Sequence, residues 1–314
     1  MKYLLSLLIL FCLGCETIIE VDPPEYNSKQ VVTSFFSPDS TWSVTLHRSL
    51  GATVKRDVTS EYITDASVMI MDGSNMVDIL NYQGDGRYVS STRKLPGNGT
   101  MYTLRVDYTG YASIEAVSAA PPPIIISDYS IEFIPRSESD PFSTSRYQLR
   151  IAFSDISDMN NYYRVGAYRR IRDRRLGAAE SDSVYEPVSF EGLNLGWSCG
   201  YSSDQEVVDP IDGIAVLVIC DEYVVTDRRF DGEDYSWSGT TFGNVSDQSG
   251  RKELRLVLSS LSEEYYRYLY SLERNVSHDP LIEEPFPMYS NVSGGLGIFA
   301  GYTNTTLVLP FPDE

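Results

Sequence analysis

The chain has 314 residues, and 42% of them are hydrophobic, which is enough to build a folded core and excludes a disordered chain. The formal net charge of −19 at pH 7 argues against binding to nucleic acid or to anionic lipid headgroups, because like charges repel. The length suits one large domain or two of ordinary size.

The N-terminus has the layout of a bacterial lipoprotein signal. Lys2 precedes an apolar run over residues 4–13, and Gly14 comes directly before Cys15. The run is shorter than the roughly 20 residues that a membrane-spanning helix needs. We therefore predict that residues 1–14 are a signal peptide and that Cys15 carries the lipid, a palmitate-type acyl anchor to the membrane.

Two segments follow the signal. Residues 15–29 predict an acidic tether, because Pro23-Pro24 keeps the chain extended and there is little to bury. Over residues 30–120, short alternating and β-branched segments are separated by turn signals such as Asp72-Gly73. This spacing predicts an immunoglobulin-like β-sandwich, which ends before the three prolines at residues 121–123.

Residues 124–314 predict a second β-rich domain with one amphipathic helix near residues 261–275. Strand patterns continue through residues 147–153 and 253–258. Ser260 and Glu263 have capping-box spacing, and Ser262 is a competing N-cap. The residues expected on the buried stripe of the helix are Leu261, Tyr265, Tyr268, Leu269 and Leu272. The predicted fold class is therefore mostly β.

Cys199 and Cys220 are the cysteines that remain after the signal and the lipidation site. An exported chain meets an oxidising compartment, so we predict a disulfide between them, and two buried thiols are the alternative. A zinc site is poorly supported, since His47 and His278 are the only histidines and neither lies near a cysteine in sequence. We predict no metal site and no cofactor.

No catalytic pattern stands out, and we predict a protein that is not an enzyme. The chain lacks the Gly-x-Ser-x-Gly motif, and neither histidine has the setting of a catalytic base. The glycines of residues 295–301 precede a predicted strand, whereas a dinucleotide site needs a helix there, so we interpret them as close backbone packing. The acidic turn at residues 231–234 does not fit a calcium-binding loop, although a calcium- or carboxylate-dependent hydrolase is a minor alternative.

Two compositional features each have a structural interpretation and a functional alternative. Residues 169–175 are rich in arginine. We interpret this segment as part of a hairpin whose arginines pair with Glu180, Asp182 and Glu186. Docking of an acidic partner or of lipid phosphates is the alternative. Tyrosine is unusually frequent, with 23 residues. Its rigid ring and hydroxyl suit protein interfaces and sugar stacking, and half-buried sheet positions are the plainer explanation.

The C-terminal part of the chain carries the sequence motifs that are most specific to one protein family. Residues 261–269, 284–292 and 295–302 resemble, in order and content, outer-membrane lipoproteins of Bacteroidota that are catalogued as domain of unknown function 4249. The resemblance extends over nearly all of the chain after Cys15. It implies a β-rich fold, a place in the cell envelope and genomic association with TonB-dependent transporters, and it implies no activity.

The sequence thus favours a lipid-anchored outer-membrane protein on the cell surface rather than the periplasmic face. Its predicted role is a non-enzymatic accessory or binding subunit, and its predicted partner is the barrel of a TonB-dependent outer-membrane transporter. A structural or adhesive lipoprotein without a transport role is the alternative. The residues that bind a ligand are unknown from sequence.

Overall fold

A computed structural model describes residues 26–51, 61–139, 145–172, 183–188, 207–208, 215–219, 222–241, 253–277 and 284–310. Within these ranges the protein is mostly β with one α-helix, which confirms the predicted fold class. The N-terminal strands are β1 (Gln30–Phe36), β2 (Ser43–Arg48), β3 (Ser67–Asp72), β4 (Asn75–Tyr82), β5 (Arg87–Ser90), β6 (Met101–Asp107) and β7 (Ile114–Ala119).

The remaining strands follow the three prolines, and the helix lies between two of them. In chain order they are β8 (Ile126–Ile134), β9 (Arg146–Ser154), β10 (Tyr162–Arg172), β11 (Ser183–Pro187), β12 (Val207–Val208), β13 (Ala215–Ile219), β14 (Glu222–Thr226), β15 (Asp234–Thr240), β16 (Glu253–Leu261), α1 (Glu263–Ser277), β17 (Val292–Ser293) and β18 (Leu296–Pro310).

One large sheet connects the two halves of the chain. Its strand order is β12-β13-β14-β10-β16-β18-β1-β2-β5-β4-β3-β6-β7-β17, and β11 pairs with β10 outside this path. The joint is the long C-terminal strand β18, which pairs in parallel with β1 and antiparallel with β16. Strands β15, β9 and β8 form a separate three-stranded sheet.

Alternating side chains create two main cores. In the N-terminal half, Val68 and Ile70 of β3 face the same interior as Leu104 and Val106 of β6. Phe299 of β18 belongs to this N-terminal core although it comes from the far end of the sequence. The second core lies between the three-stranded sheet and strands β10 and β16.

Hydrogen bonds and sheet pairing cross the boundary predicted at residues 121–123. Besides the β1–β18 pair, β17 pairs with β7, and Thr303 donates a hydrogen bond to the carbonyl of Pro121. Strands β1–β7 are thus part of a sheet that runs through both predicted domains. The division of the chain at that boundary and the immunoglobulin-like sandwich of residues 30–120 stay predictions.

Helix α1 confirms the amphipathic helix, two residues later than predicted. The backbone N–H of Tyr265 donates to Oγ of Ser262 over 3.3 Å, so Ser262 is the N-cap. The predicted capping box with Ser260 is wrong, because Ser260 pairs in β16 with Tyr163 of β10. Of the described helical residues, none belongs to a helix long and apolar enough for a membrane span.

Candidate functional site

The glycine-rich segment of β18 has an architectural role. Gly297 has a φ of 111°, and a Cβ atom there would lie 1.9 Å from the carbonyl oxygen of Val32. A Cβ on Gly301 would lie 2.3 Å from the carbonyl oxygen of Ala119. Only glycine lets β18 approach its neighbours this closely, and strand rather than helix follows. The structure therefore supports close backbone packing rather than a nucleotide loop.

The side-chain amide of Asn291 also holds β18 against its neighbours. We call the contacts of β18 with β1 and β7 the seam. Its Nδ2 donates to the carbonyl oxygens of Val117 at 3.1 Å and Phe299 at 2.7 Å, and its Oδ1 accepts from the Phe299 N–H at 3.0 Å. The amide thus completes backbone pairing between β7 and β18. The most specific part of the family resemblance therefore builds the joint between the two halves of the chain.

Helix α1 buries one face against this joint. Tyr265 and Leu269 pack with Ile298 and Ala300 of β18, and the ring of Tyr265 stacks on Phe35 with centroids 4.5 Å apart. Ser118 donates from its Oγ to the carboxylate of Glu264 over 2.9 Å. The helix is therefore fixed to both halves of the large sheet.

A second face of α1 carries a row of half-buried aromatic rings, which we call the aromatic ladder. It consists of Tyr162, Tyr266, Tyr270 and Phe286. Tyr162 and Tyr266 stack at 4.4 Å with an interplanar angle of 18°. The next two centroid distances along the row are 6.4 Å and 6.3 Å. These separations are typical of favourable aromatic pairs.

Hydrogen bonds to the helix fix the segment that supplies Phe286. The Nδ2 of Asn275 donates to the carbonyl of Phe286, and the N–H of Tyr289 donates to Oγ of Ser271 over 2.9 Å. Because side chains of α1 hold this backbone on both sides of Met288, the ladder has a defined end.

Exposed cationic and apolar side chains border the ladder. The guanidinium of Arg274 lies 5.6 Å from the Phe286 centroid, and that of Arg267 lies 5.8 Å from the Tyr289 centroid. Met288, the residue before Tyr289, is 42% exposed. Aromatic residues, arginine and methionine are the residue types enriched at the centres of protein interfaces.

Burial raises the pKa of the Tyr162 and Tyr289 hydroxyls above the ordinary value of 10.0. Both hydroxyls therefore stay protonated at neutral pH. Uncharged rings that carry hydroxyl groups can stack on a planar or apolar partner and form hydrogen bonds at its edge. This surface is the best candidate for binding in the described part of the chain.

The acidic turn of residues 231–234 contributes Asp231 to a cluster of three carboxylates, which the sequence did not predict. Carboxylate oxygens of Asp155, Asp227 and Asp231 all lie within 4.8 Å of one another, which would let them hold a cation. They also accept local hydrogen bonds: Oδ2 of Asp155 from the Gly232 N–H at 2.8 Å, and Oδ2 of Asp227 from the Asn161 N–H at 2.6 Å. The cluster thus ties two turns together.

His47 and Arg170, which the sequence analysis considered for functional roles, both contact neighbouring side chains within the sheet. His47 lies in β2 with its ring 5.1 Å from that of Tyr62, and burial lowers its pKa, so it is neutral at pH 7. Arg170 lies in the β10–β11 hairpin and pairs with Glu253 at 3.0 Å, an acid not among its predicted partners. Glu186 lies opposite Arg169 in the register of that hairpin.

Several predicted residues lie outside the described ranges. They are the signal peptide with the lipidated Cys15, both predicted disulfide cysteines Cys199 and Cys220, His278, and the acids Glu180 and Asp182. The tether of residues 15–29 is described only from residue 26 onward. The predictions for these residues therefore stay predictions from the sequence.

An open cleft of 330 Å³ was also not predicted. It lies where the tether meets the sheet, and the side chains of Tyr26, Arg48, Glu61 and Tyr111 contribute to its walls. By contrast, part of the ladder is readable from sequence, since Tyr266, Tyr270 and Arg274 follow each other at intervals of four residues on a helix. Tyr162 and Phe286 join them only through tertiary structure.

Comparison with known proteins gives one family. The family model described as Domain of unknown function (DUF4249) matches residues 16–307. No curated protein matches the chain.

Proposed function

Since the chain belongs to the DUF4249 family, whose description carries no activity, we propose its function from its own residues. In this proposal the protein is a non-enzymatic accessory subunit of a TonB-dependent transporter. It is anchored by lipid to the outer membrane, on the cell surface. The anchor is Cys15, and the docking surface is the aromatic ladder with its bordering arginines.

The N-terminal sequence supports the anchor. The single positive charge, the short apolar run and the small residue before Cys15 match the requirements of export and acylation. The net charge of −19 disfavours attachment to anionic headgroups, so acyl chains must supply the membrane affinity.

The observation that carries the binding role is the aromatic ladder itself. Rings that are half-buried and held from both ends lose little conformational entropy when a partner covers their exposed edges. Arg267 and Arg274 add donors for carboxylates or carbonyls at the rim. A partner protein with an apolar surface and acidic or carbonyl groups around it fits this arrangement.

Affinity capture of the anchored protein from detergent-solubilised outer membranes tests the binding role. We expect wild-type protein to recover a TonB-dependent transporter, identified by mass spectrometry, and Tyr270→Ala to lose it. Tyr129→Ala is the matched control, because Tyr129 is 49% exposed on β8, outside the ladder. Equal recovery by all three proteins would contradict docking through the ladder.

Cys15→Ser tests the anchor independently. We expect this variant to lose labelled palmitate and to leave the membrane fraction, with Cys199→Ser as a control that keeps both. Palmitate incorporation by Cys15→Ser would refute the anchor. Normal nutrient uptake with altered adhesion in a deletion strain would instead support the structural or adhesive alternative.

A further inference from the structure

Methionine is distributed unevenly over the surface. The chain has seven methionines, and four of them, Met69, Met71, Met76 and Met101, lie on the three adjacent strands β4, β3 and β6. Met76 is 57% exposed and Met101 is 58% exposed. Met69 and Met71 are partly exposed, so all four flexible thioether side chains can be reached from solvent.

Strand register brings these side chains to one face. In β3, Val68 and Ile70 point into the N-terminal core, so Met69 and Met71 point to the opposite face. Met71 lies directly opposite Met76 of β4, and paired residues project to the same side of a sheet. A register shift between Ile70 and Met71 re-aims this pair relative to the rest of the hairpin.

The fourth methionine lies diagonally across the next strand. Met71 is opposite Thr103 of β6, and Met101 lies two residues before Thr103 on the same face. Directly opposite and diagonal positions are separated by about 5 Å and 7–8 Å, distances that long side chains can bridge. The thioether sulfurs of Met69, Met71 and Met76 can therefore converge on one point above the sheet, with Met101 farther along the same face.

We propose that Met69, Met71 and Met76, with Met101 as a neighbour, form a surface site for a soft monovalent metal ion, Cu(I) or Ag(I). Thioether sulfur is a soft, neutral ligand that selects such ions over Zn²⁺, Ca²⁺ or Mg²⁺. The net charge of −19 attracts cations to the protein. The nearby guanidinium of Arg105 is offset by Asp107 at 3.1 Å and Glu115 at 3.6 Å.

The site has a chemical signature that separates it from thiolate, imidazole or carboxylate sites. Those ligands must lose a proton before they bind a metal, whereas a thioether has no proton to lose. Affinity at the methionine site should therefore be unchanged between about pH 7 and about pH 5, where histidine-containing sites weaken.

The test is titration of the full chain in detergent with Ag(I), after alkylation of its thiols, while NMR follows ¹³C-labelled methionine methyl groups. We expect the signals of Met69, Met71 and Met76 to shift and to saturate near one equivalent. Met159 and Met288, which are 47% and 42% exposed elsewhere, should not move at that ratio. A uniform shift of all methionine signals, or none, would overturn the proposal.

Substitution by leucine separates metal binding from apolar docking, because it keeps the apolar surface and removes the sulfur. We expect Met71→Leu and Met76→Leu to weaken Ag(I) binding at least tenfold, the lower end of the roughly 10–100-fold loss seen even for residues outside the ligand shell. Met159→Leu is the matched control. Met76 is exposed, so its variant keeps the fold. Unchanged affinity in Met76→Leu and Met71→Leu would refute the site.

Discussion

The N-terminal core and the aromatic ladder use the same kinds of ring in opposite ways. In the core, Phe36 lies 4.9 Å from Trp42 and 4.7 Å from Phe299, and all three side chains are almost completely buried. In the ladder, rings at comparable distances keep part of their surface in solvent. The difference lies in what covers them, since β18 closes the core whereas the described residues leave one side of the ladder uncovered.

This comparison separates stability from binding. A ring that is fully enclosed contributes its whole transfer free energy to folding, and a partner cannot reach it. A half-buried ring contributes less to folding and retains area that a partner can cover. We therefore expect substitutions in the core to lower the free energy of unfolding and substitutions in the ladder to weaken partner binding. The loss of stability should increase with the buried fraction of the side chain.

The largest expected effect is at the seam that closes the core. Gly297→Ala would place a Cβ atom 1.9 Å from the carbonyl oxygen of Val32, against backbone that has little freedom to move. We expect a loss of about 4 kcal/mol or more in the free energy of unfolding, measured by urea denaturation.

Gly73→Ala is the matched control for this substitution. Gly73 also has a positive φ, 57°, but a Cβ atom there meets nothing within 4 Å. Its expected cost is only the roughly 1–2 kcal/mol of left-handed backbone. Equal losses in both variants would show that the seam is not tightly packed.

Truncation of one ring in each region tests the comparison directly. Phe299→Ala should cost about 3–5 kcal/mol, because it leaves a cavity among buried rings. Tyr270→Ala should cost only about 1 kcal/mol, because it removes half-buried contacts that water can replace. Urea denaturation of both variants gives the difference, and a larger loss for Tyr270→Ala would contradict a binding role for an already exposed ring.

The same contrast applies to acidic groups, with Asp227 buried and Glu263 exposed. Burial raises the pKa of Asp227 above its ordinary value of 3.8, with the neighbouring Asp155 carboxylate acting in the same direction. A raised folded-state pKa means that this group favours folding at low pH and that its contribution is lost as pH rises through the folded value.

Asp227→Asn should therefore gain stability relative to wild type as pH rises from about 4 to about 7, since asparagine can accept the same Asn161 N–H without ionising. Urea midpoints of both proteins across this range measure the change. A gap that stays constant with pH would show that Asp227 ionises as readily in the folded chain as in the unfolded one.

The smallest expected effect is at the exposed end of α1. Glu263 pairs with Arg267 at 2.5 Å, one helical turn later, and both side chains are about half exposed. Glu263→Gln should cost less than about 1 kcal/mol, and high salt should remove most of that difference. A larger or salt-independent loss in thermal unfolding would show that Glu263 has a further structural role.

Local patterns in the sequence are sufficient for the strands and for the helix. The alternation in β6 and the helical spacing of Tyr265 and Leu269 each lie within one short segment, so the buried face of each element can be read directly. The helix start was missed because Ser260 and Ser262 both fit a cap, and only the pairing of Ser260 in β16 decides between them.

Long-range contacts could not be read in the same way. Nothing in the local pattern of β18 shows that Phe299 enters the N-terminal core, since its partners Phe36 and Trp42 lie more than 250 positions earlier in the numbering. The ladder and the Asp155–Asp227–Asp231 cluster likewise combine residues from distant segments.

The sequence by itself determined the β class, the amphipathic helix α1 and the family, because these depend on residue type and spacing within short windows. Only the tertiary structure decided which strands are neighbours, which rings remain half exposed and which methionines share a face. The physical reason is that burial and register arise from pairing between distant segments, and a strand pattern fixes its own faces without specifying the strand beside it.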